Sequence, residues 1–337
     1  MGARKKHAPK RGSLAFSPRK RAKSLVPTIR TWPDVEIDKP ILLGFGGYKA
    51  GMTGVLYVEN DPHSLDYGKE VHTAATVIET PPLLAIGVVA YSVDPVGNRL
   101  RAFKTVLSDD LPNFIERRMY PLPKGGAKRS IEEVESKLDE IVKLRLLMST
   151  QPSLAGIHKK KPEIFEVEIG GKVSVEDKLN YAREVLGKEV KVTEVLKPGD
   201  VIDVVAVTKG KGFQGPVKRW GIKILPPKSR KTKRKAGALG PWKPSAVMWT
   251  VPMAGQTGFH RRTLYHLKVL DVKTVEDGRA VTGIPFPHYG VLKNSYVIVK
   301  GSVPGPTKRF VILRHTVRPV KLVVSEPPRI TYTQLGV

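Results

Sequence analysis

The chain has 337 residues, with 58 Lys/Arg against 31 Asp/Glu, a formal net charge of +27 and a sequence pI near 10.1. Hydrophobic residues make up 40%, enough for a sizeable core, and the absence of cysteine excludes disulfides, thiolate metal sites and cysteine nucleophiles. Thermophilic composition raises both charge signs together, so an excess of one sign points to a polyanionic partner; counterion release puts nucleic acid phosphate ahead of an anionic membrane surface.

Residues 1–30 hold ten Lys/Arg and no acid: Arg4, Lys5, Lys6, Lys10, Arg11, Arg19, Lys20, Arg21, Lys23 and Arg30. This arm lacks the apolar core of a secretory signal and any apolar period. Its composition predicts a segment that is disordered alone and orders on RNA. No run of 18 apolar residues follows anywhere in the chain, which predicts a soluble, intracellular protein without a membrane span.

From Ile41 to Leu107 the pattern is strand-like. Thr73–Glu79, Leu83–Tyr91 and Leu100–Val106 are short β-branched runs, punctuated by Gly44, Gly46, Gly47, Gly51, Pro81, Pro82, Pro95 and Gly97. A sandwich or small barrel is expected. Ser130 with Glu133 then reads as a capping box, placing Ile131, Val134, Leu138, Ile141 and Val142 on one helical face. Glu163–Ile169 alternates like a strand. A second helix should start after Ser174, with Asp177 in its first turn, Val175, Leu179, Ala182 and Leu186 as its stripe, and Gly187 at its end.

Val201–Thr208 is a nearly continuous apolar run and reads as a buried strand. Strand pattern resumes at Leu264–Val272, Tyr296–Lys300, Phe310–Leu313 and Leu322–Val324, closing the β domain opened at Ile41. The expected organisation is a basic N-terminal extension (1–37), a first β part (38–107), an α/β insertion (108–190), a second β part (191–226), a basic finger (227–262) and a last β part (263–337).

Between Asp203 and Asp271 lie 67 residues without an acid, against 15 Lys/Arg. The densest part is Lys228, Arg230, Lys231, Lys233, Arg234 and Lys235, and Phe213, Trp220, Trp242, Trp249, Phe259 and Tyr265 are interleaved. Structured RNA suits this mixture, because cations meet phosphates while flat rings stack on unpaired bases. Lys228–Pro244 cannot bury enough apolar surface to fold on itself, so an extended finger held by its partner is expected. Trp220 and Trp249 read equally well as ordinary core or edge residues and as RNA contacts. Trp242, between Pro241 and Lys243, lies far from any apolar run.

Gly210-Lys211-Gly212-Phe213-Gln214-Gly215 has dinucleotide-fingerprint spacing after a strand. The fingerprint also needs a helix and an acid about 20 residues on. Pro216 and Trp220-Gly221 follow instead, with Arg230 and Lys231 where the acid should stand. An RNA-modifying or nucleotide-dependent RNA-binding enzyme using this loop is the alternative function. No metalloprotease spacing, nucleophile elbow or acid–base pair is present, so no catalytic residue, metal, cofactor or small-molecule substrate is expected.

Six segments carry a resemblance: His7–Arg21 (HAPKRGSLAFSPRKR), Leu43–Thr53 (LGFGGYKAGMT), Thr76–Pro82 (TVIETPP), Ile202–Gly221 (IDVVAVTKGKGFQGPVKRWG), Gly240–Trp249 (GPWKPSAVMW) and Met253–Thr263 (MAGQTGFHRRT). In this order they resemble the universal large-subunit ribosomal protein L three family, in its archaeal and eukaryotic form. The resemblance implies a mainly β fold with α insertions, built on a six-stranded translation-protein-type barrel with long basic extensions. It also implies an early-assembly, cytoplasmic, ribosomal RNA-binding protein beside other large-subunit proteins. Its tryptophan-tipped finger would reach toward the peptidyl-transferase region, with Trp242 at the tip and Gln256 in the returning Met-Ala-Gly-Gln segment. Arg230 stands where eukaryotic relatives carry a histidine, so no role of that histidine carries over, and the chain ends at Val337 where eukaryotic relatives continue.

The candidate RNA contacts are Arg4, Lys5, Lys6, Lys10, Arg11, Arg19, Lys20, Arg21, Lys49, Lys209, Lys211, Lys218, Arg219 and Trp220. With them go Lys228, Arg230, Lys231, Lys233, Arg234, Lys235, Trp242, Lys243, Gln256, His260, Arg261 and Arg262.

Overall fold

A computed structural model of the chain describes residues 9–94, 96–120, 126–229, 232–240, 242–243, 245–274, 285–318 and 326–334. In chain order the strands are β1 (Ile41–Leu42), β2 (Gly44–Val58), β3 (Glu70–Glu79), β4 (Leu83–Asp94), β5 (Arg99–Leu107), β6 (Ile141–Ser149), β7 (Ile164–Gly170), β8 (Glu189–Val190) and β9 (Val201–Val207). They continue with β10 (Phe213–Gln214), β11 (Gly255–Gln256), β12 (Arg261–Lys273), β13 (Tyr296–Lys300), β14 (Phe310–His315) and β15 (Ile330–Thr333). The helices are α1 (Ala127–Glu135), α2 (Val175–Val185) and α3 (Pro216–Trp220). The protein is mainly β with α insertions, as expected.

The chain divides into two compact units, Met1–Ser24 with Val207–Arg261, and Leu25–Ala206 with Arg262–Val337. The larger unit holds two sheets. In one, the strand order is β14-β9-β12-β13-β3-β2-β15, and β14 also pairs with β2. In the other, the order is β1-β7-β6-β4-β5, with β8 on β4. Thus β4, expected beside β2 and β3, pairs instead with β6 and β8 of the α/β insertion, and β5 pairs only with β4. The sheets share one core: Phe310 of β14 meets Tyr48 of β2 at 5.9 Å and Phe165 of β7 at 5.2 Å between ring centroids.

Gly44, Gly46, Gly47 and Gly51 do not punctuate a turn; they lie inside the 15-residue β2. A Cβ at Gly46 would stand 2.8 Å from the rings of Phe165 and Phe310. The glycine lets two aromatic rings occupy the space that its own side chain would take. Each such buried ring contributes roughly 1.5–3 kcal/mol over leaving it in water.

α2 forms as its sequence indicates. Ser174 accepts from the Asp177 amide at 3.1 Å, Leu179 and Ala182 are buried, and Gly187 follows with φ +79°. α1 differs. Its N-cap is Gly126, so Ser130 lies within the helix rather than capping it. The amide of Ala127 is met by Asp109 Oδ1 at 3.2 Å, from 18 residues upstream. Ile141 and Val142 belong to β6 rather than to the helix, because Ile141, Leu144, Leu146 and Met148 enter the sheet core. Leu322–Val324 lies outside the described residues. β15, which pairs with β2 in the same sheet, went unread in the sequence.

The N-terminal extension is shorter than expected. Trp32 is buried in the larger unit, and Arg314 donates to the carbonyl of Thr31, so residues after Ser24 belong to the β core.

Candidate RNA interface

The smaller unit has no carboxylate side chain. Its two stretches hold 22 Lys/Arg and no Asp or Glu, which leaves the larger unit 36 Lys/Arg against 31 acids. Most of the +27 charge is therefore concentrated in 79 residues. Ion pairs cannot neutralise that charge within the unit, so its counter-charge has to come from outside.

The N-terminal arm does more than trail from this unit. Ala22 donates its amide to the carbonyl of Phe259 at 2.8 Å, and a ring nitrogen of His260 meets the carbonyl of Lys20 at 2.9 Å. Arg19 Cζ lies 3.9 Å from the ring centroid of Trp220, a cation–π contact. Arg19 also donates to the carbonyls of Arg219 at 3.2 Å and Ser13 at 3.0 Å. Gly12, at φ +71°, lies against the same indole, and a Cβ there would stand 2.9 Å from Trp220 Cε3. In the structure the arm meets the finger's base through Gly12, Arg19, Lys20 and Ala22. Acid-free composition concealed this docking because aromatic rings and carbonyls, not carboxylates, receive the arginines.

Trp220 itself is 8% exposed and donates Nε1 to the carbonyl of Met253 at 2.8 Å. It is an anchor of the unit and offers no open face for stacking. Arg219 has a similar role. Its guanidinium donates to the carbonyls of Gln256 at 3.1 Å, Met253 at 3.0 Å and Arg19 at 3.2 Å. Burial first, then the neighbouring Arg19 charge, lowers its pKa from the ordinary value. Gln256 is turned inward, its amide donating to the carbonyls of Thr257 and Gly258.

In the larger unit, Lys49 donates to the carbonyls of Val303 at 2.6 Å and Gly305 at 3.3 Å. Burial pulls its pKa down from the ordinary lysine value. Lys49, Trp220, Arg219 and Gln256 were expected to touch RNA; these bonds give each a structural task within the protein. Arg261 and Arg262, at the start of β12, are half-buried, as is His260 just before them.

The outward-facing candidates are different. Lys10, Arg11, Lys20, Arg21, Lys209, Lys211, Lys218, Lys228, Lys233, Arg234, Lys235 and Lys243 are all exposed. Trp242 is 89% exposed. Arg4, Lys5, Lys6, Arg230 and Lys231 lie outside the described residues. The described residues between Gly221 and Ala254 carry neither helix nor strand, and Leu225 donates its amide to the carbonyl of Lys233 at 3.0 Å, closing a loop. Trp249, left open between core and RNA in the sequence, is 70% exposed. Its position in the acid-free stretch was the one signal for it.

The Gly210–Gly215 loop is used internally. Lys211 donates its amide to Thr257 O, and Thr257 donates to Gly212 O, each at 2.9 Å, while β10 pairs with β11. The helix that follows, α3, has five residues. A dinucleotide fold instead presents loop amides and a long helix N-terminus to pyrophosphate.

A mainly β protein that carries its charge in a separate acid-free, tryptophan-bearing unit belongs to the class of polyanion binders. The family model described as Ribosomal protein L3 matches residues 1–328. The large ribosomal subunit protein uL3 of Pyrobaculum aerophilum is 48% identical over 314 residues, covering 92% of each chain. That of Methanocaldococcus jannaschii is 46% identical over 326 residues, covering 96% of this chain and 95% of its own. That of Methanothermobacter thermautotrophicus is 44% identical over 330 residues, covering 97% and 96%. The chain belongs to the ribosomal protein L3 family.

Proposed function

We propose that this protein is a structural constituent of the large ribosomal subunit in the cytoplasm, and that its smaller unit binds large-subunit ribosomal RNA. The observation that carries the reading is the separation of charge, with 22 Lys/Arg and no acid in one unit. Phosphates supply the missing counter-charge, and the bound ions they release drive association.

The work is scaffolding rather than catalysis. Within the larger unit, β2, β3, β13, β12, β9 and β14 follow one another by pairing, and β14 returns to β2. We read this ring as the six-stranded translation-protein-type barrel, docked on folded RNA beside neighbouring ribosomal proteins. The exposed lysines and arginines of the arm and finger screen repulsion between RNA helices. The segment around Trp242 points the finger toward the peptidyl-transferase region, and the protein joins early in subunit assembly.

Sedimentation of native subunits with crosslinking tests this. The protein should travel with large subunits and crosslink to their RNA through residues 228–260. A chain lacking 228–243 should keep the thermal unfolding of its β core yet bind RNA with a shallower salt dependence. An unchanged salt slope after that deletion refutes the finger's part in binding.

A further inference from the structure

The smaller unit contains a cavity of about 690 Å³ whose lining includes Arg19, Trp220, Met248, Trp249 and Met253. Cavities of roughly 300–1,000 Å³ hold small ligands or a single protruding group. One side is built and rigid. Trp220 is held by its bond to Met253 and covered by the Arg19 guanidinium. Arg19 Nε is buried there without a hydrogen-bond partner among the described residues. The other side is open and apolar: Val247, Met248, Trp249 and Met253 are 53%, 52%, 70% and 43% exposed.

An exposed tryptophan flanked by methionine and valine is costly to leave in water, and such a surface ordinarily marks a binding site. Its setting selects the occupant. A hydrophobic peptide would satisfy the apolar wall but not the positive field around it. An unpaired nucleobase satisfies both. Its flat face stacks on an indole, its polar edge accepts from a guanidinium, and its phosphate enters the lysine-rich surroundings.

We propose that this cavity captures one unpaired base of large-subunit RNA, with Trp249 as the stacking platform and the Arg19 guanidinium facing the base edge or its phosphate. The proposal rests on the RNA-binding reading above and adds a specific subsite to it. The site distinguishes single-stranded from paired RNA, because a base inside a duplex cannot leave its stack without losing its partner.

The test uses the full-length protein with three probes: a short oligoadenylate, a hairpin duplex RNA and free adenosine monophosphate. A stacked base contributes 1–3 kcal/mol, so Trp249→Ala should weaken oligoadenylate binding about tenfold. The same change should leave duplex binding within about twofold and the salt slope unaltered, since no cation is removed. Trp249→Phe should restore most of the affinity. It should also abolish the part of the tryptophan fluorescence quenching that oligoadenylate causes in the parent protein. Because Trp249 is mostly exposed, thermal unfolding of both variants should match the parent.

Equal loss on oligoadenylate and duplex, or no loss on either, overturns the base-capture proposal while leaving RNA binding intact. Free nucleotide binding as tightly as oligoadenylate assigns the cavity to a small ligand and overturns it too. Failure of the parent protein to bind either RNA refutes the broader reading first.

Discussion

Arg19 and Trp220 form a cation–π pair, with the guanidinium carbon 3.9 Å from the indole centroid. This contact ties the arm to the base of the finger. Trp220→Ala should cost about 3–5 kcal/mol locally, by loss of a buried ring. The damage should stay in the smaller unit. Hydrogen exchange should quicken at the Ala22 amide, which is bonded to Phe259, and not at the amides of β3 or β13. Arg19→Ala should produce a weaker version of the same pattern, about 1–2 kcal/mol.

Asp203 of β9 and Arg314 of β14 face each other in register and form an ion pair at 2.7 Å, with side chains 0% and 6% exposed. Asp203 also accepts from the amides of His266 and Val317. Removing one partner leaves the other charge buried alone, so Asp203→Ala should destabilise the larger unit by about 3–5 kcal/mol. Urea unfolding should show a lower midpoint. Replacing both residues with apolar ones should cost less than either single change.

Trp242 is nearly fully exposed, so Trp242→Ala should change unfolding free energy by less than about 0.5 kcal/mol. Subunits carrying the variant should nonetheless be impaired in assembly or peptidyl transfer. A stability loss with normal subunits would place the ring in the core instead.

Alanine at Lys233, Arg234 and Lys235 together should flatten the log–log salt dependence of RNA affinity. Three lost phosphate contacts at about 0.7–0.9 each predict a slope change of roughly 2. Titrations at several potassium concentrations read this directly, and an unchanged slope would show that these cations do not meet phosphate.

His315 supplies a pH prediction. Burial lowers its pKa below the ordinary 6.5, although the Asp200 charge and the Val195 carbonyl pull the other way. One ring nitrogen lies 3.1 Å from that carbonyl. The unfolded chain takes up this proton more readily than the folded one. The contribution is complete above about pH 6.5 and lost as pH falls through the folded value, at no more than about 1.4 kcal/mol per pH unit. His315→Gln should remove that part of the acid sensitivity, seen as a smaller fall in melting temperature between neutral and mildly acid pH.

Local signals carried through to the structure. The Ser174 cap, the β13 run Tyr296–Lys300 and the buried β9 all depend on spacing within a few residues. What escaped reading depends on distant partners. α1 is capped from Asp109, Gly46 of β2 makes room for Phe165 and Phe310, and β4 chooses β6 over the strands before it. At the candidate interface, composition pointed to the acid-free segment and to the exposure of Trp242. It did not separate cations facing solvent from those spent on carbonyls. Lys49 and Arg219 have the same residue chemistry as Lys211 and Arg234, and only the backbone around them distinguishes the two uses.

The docking of the arm has a consequence in time. Arg19 and Arg219 are 200 residues apart. Translation at about 5–20 residues per second leaves the arm waiting roughly 10–40 s for the indole that will receive it. Throughout that interval Arg19 lacks the Trp220 ring and the Arg219 carbonyl that receive it in the finished chain. The order of synthesis therefore fixes the order of docking: the arm is complete long before its seat, and it can settle only once the finger's base has been made.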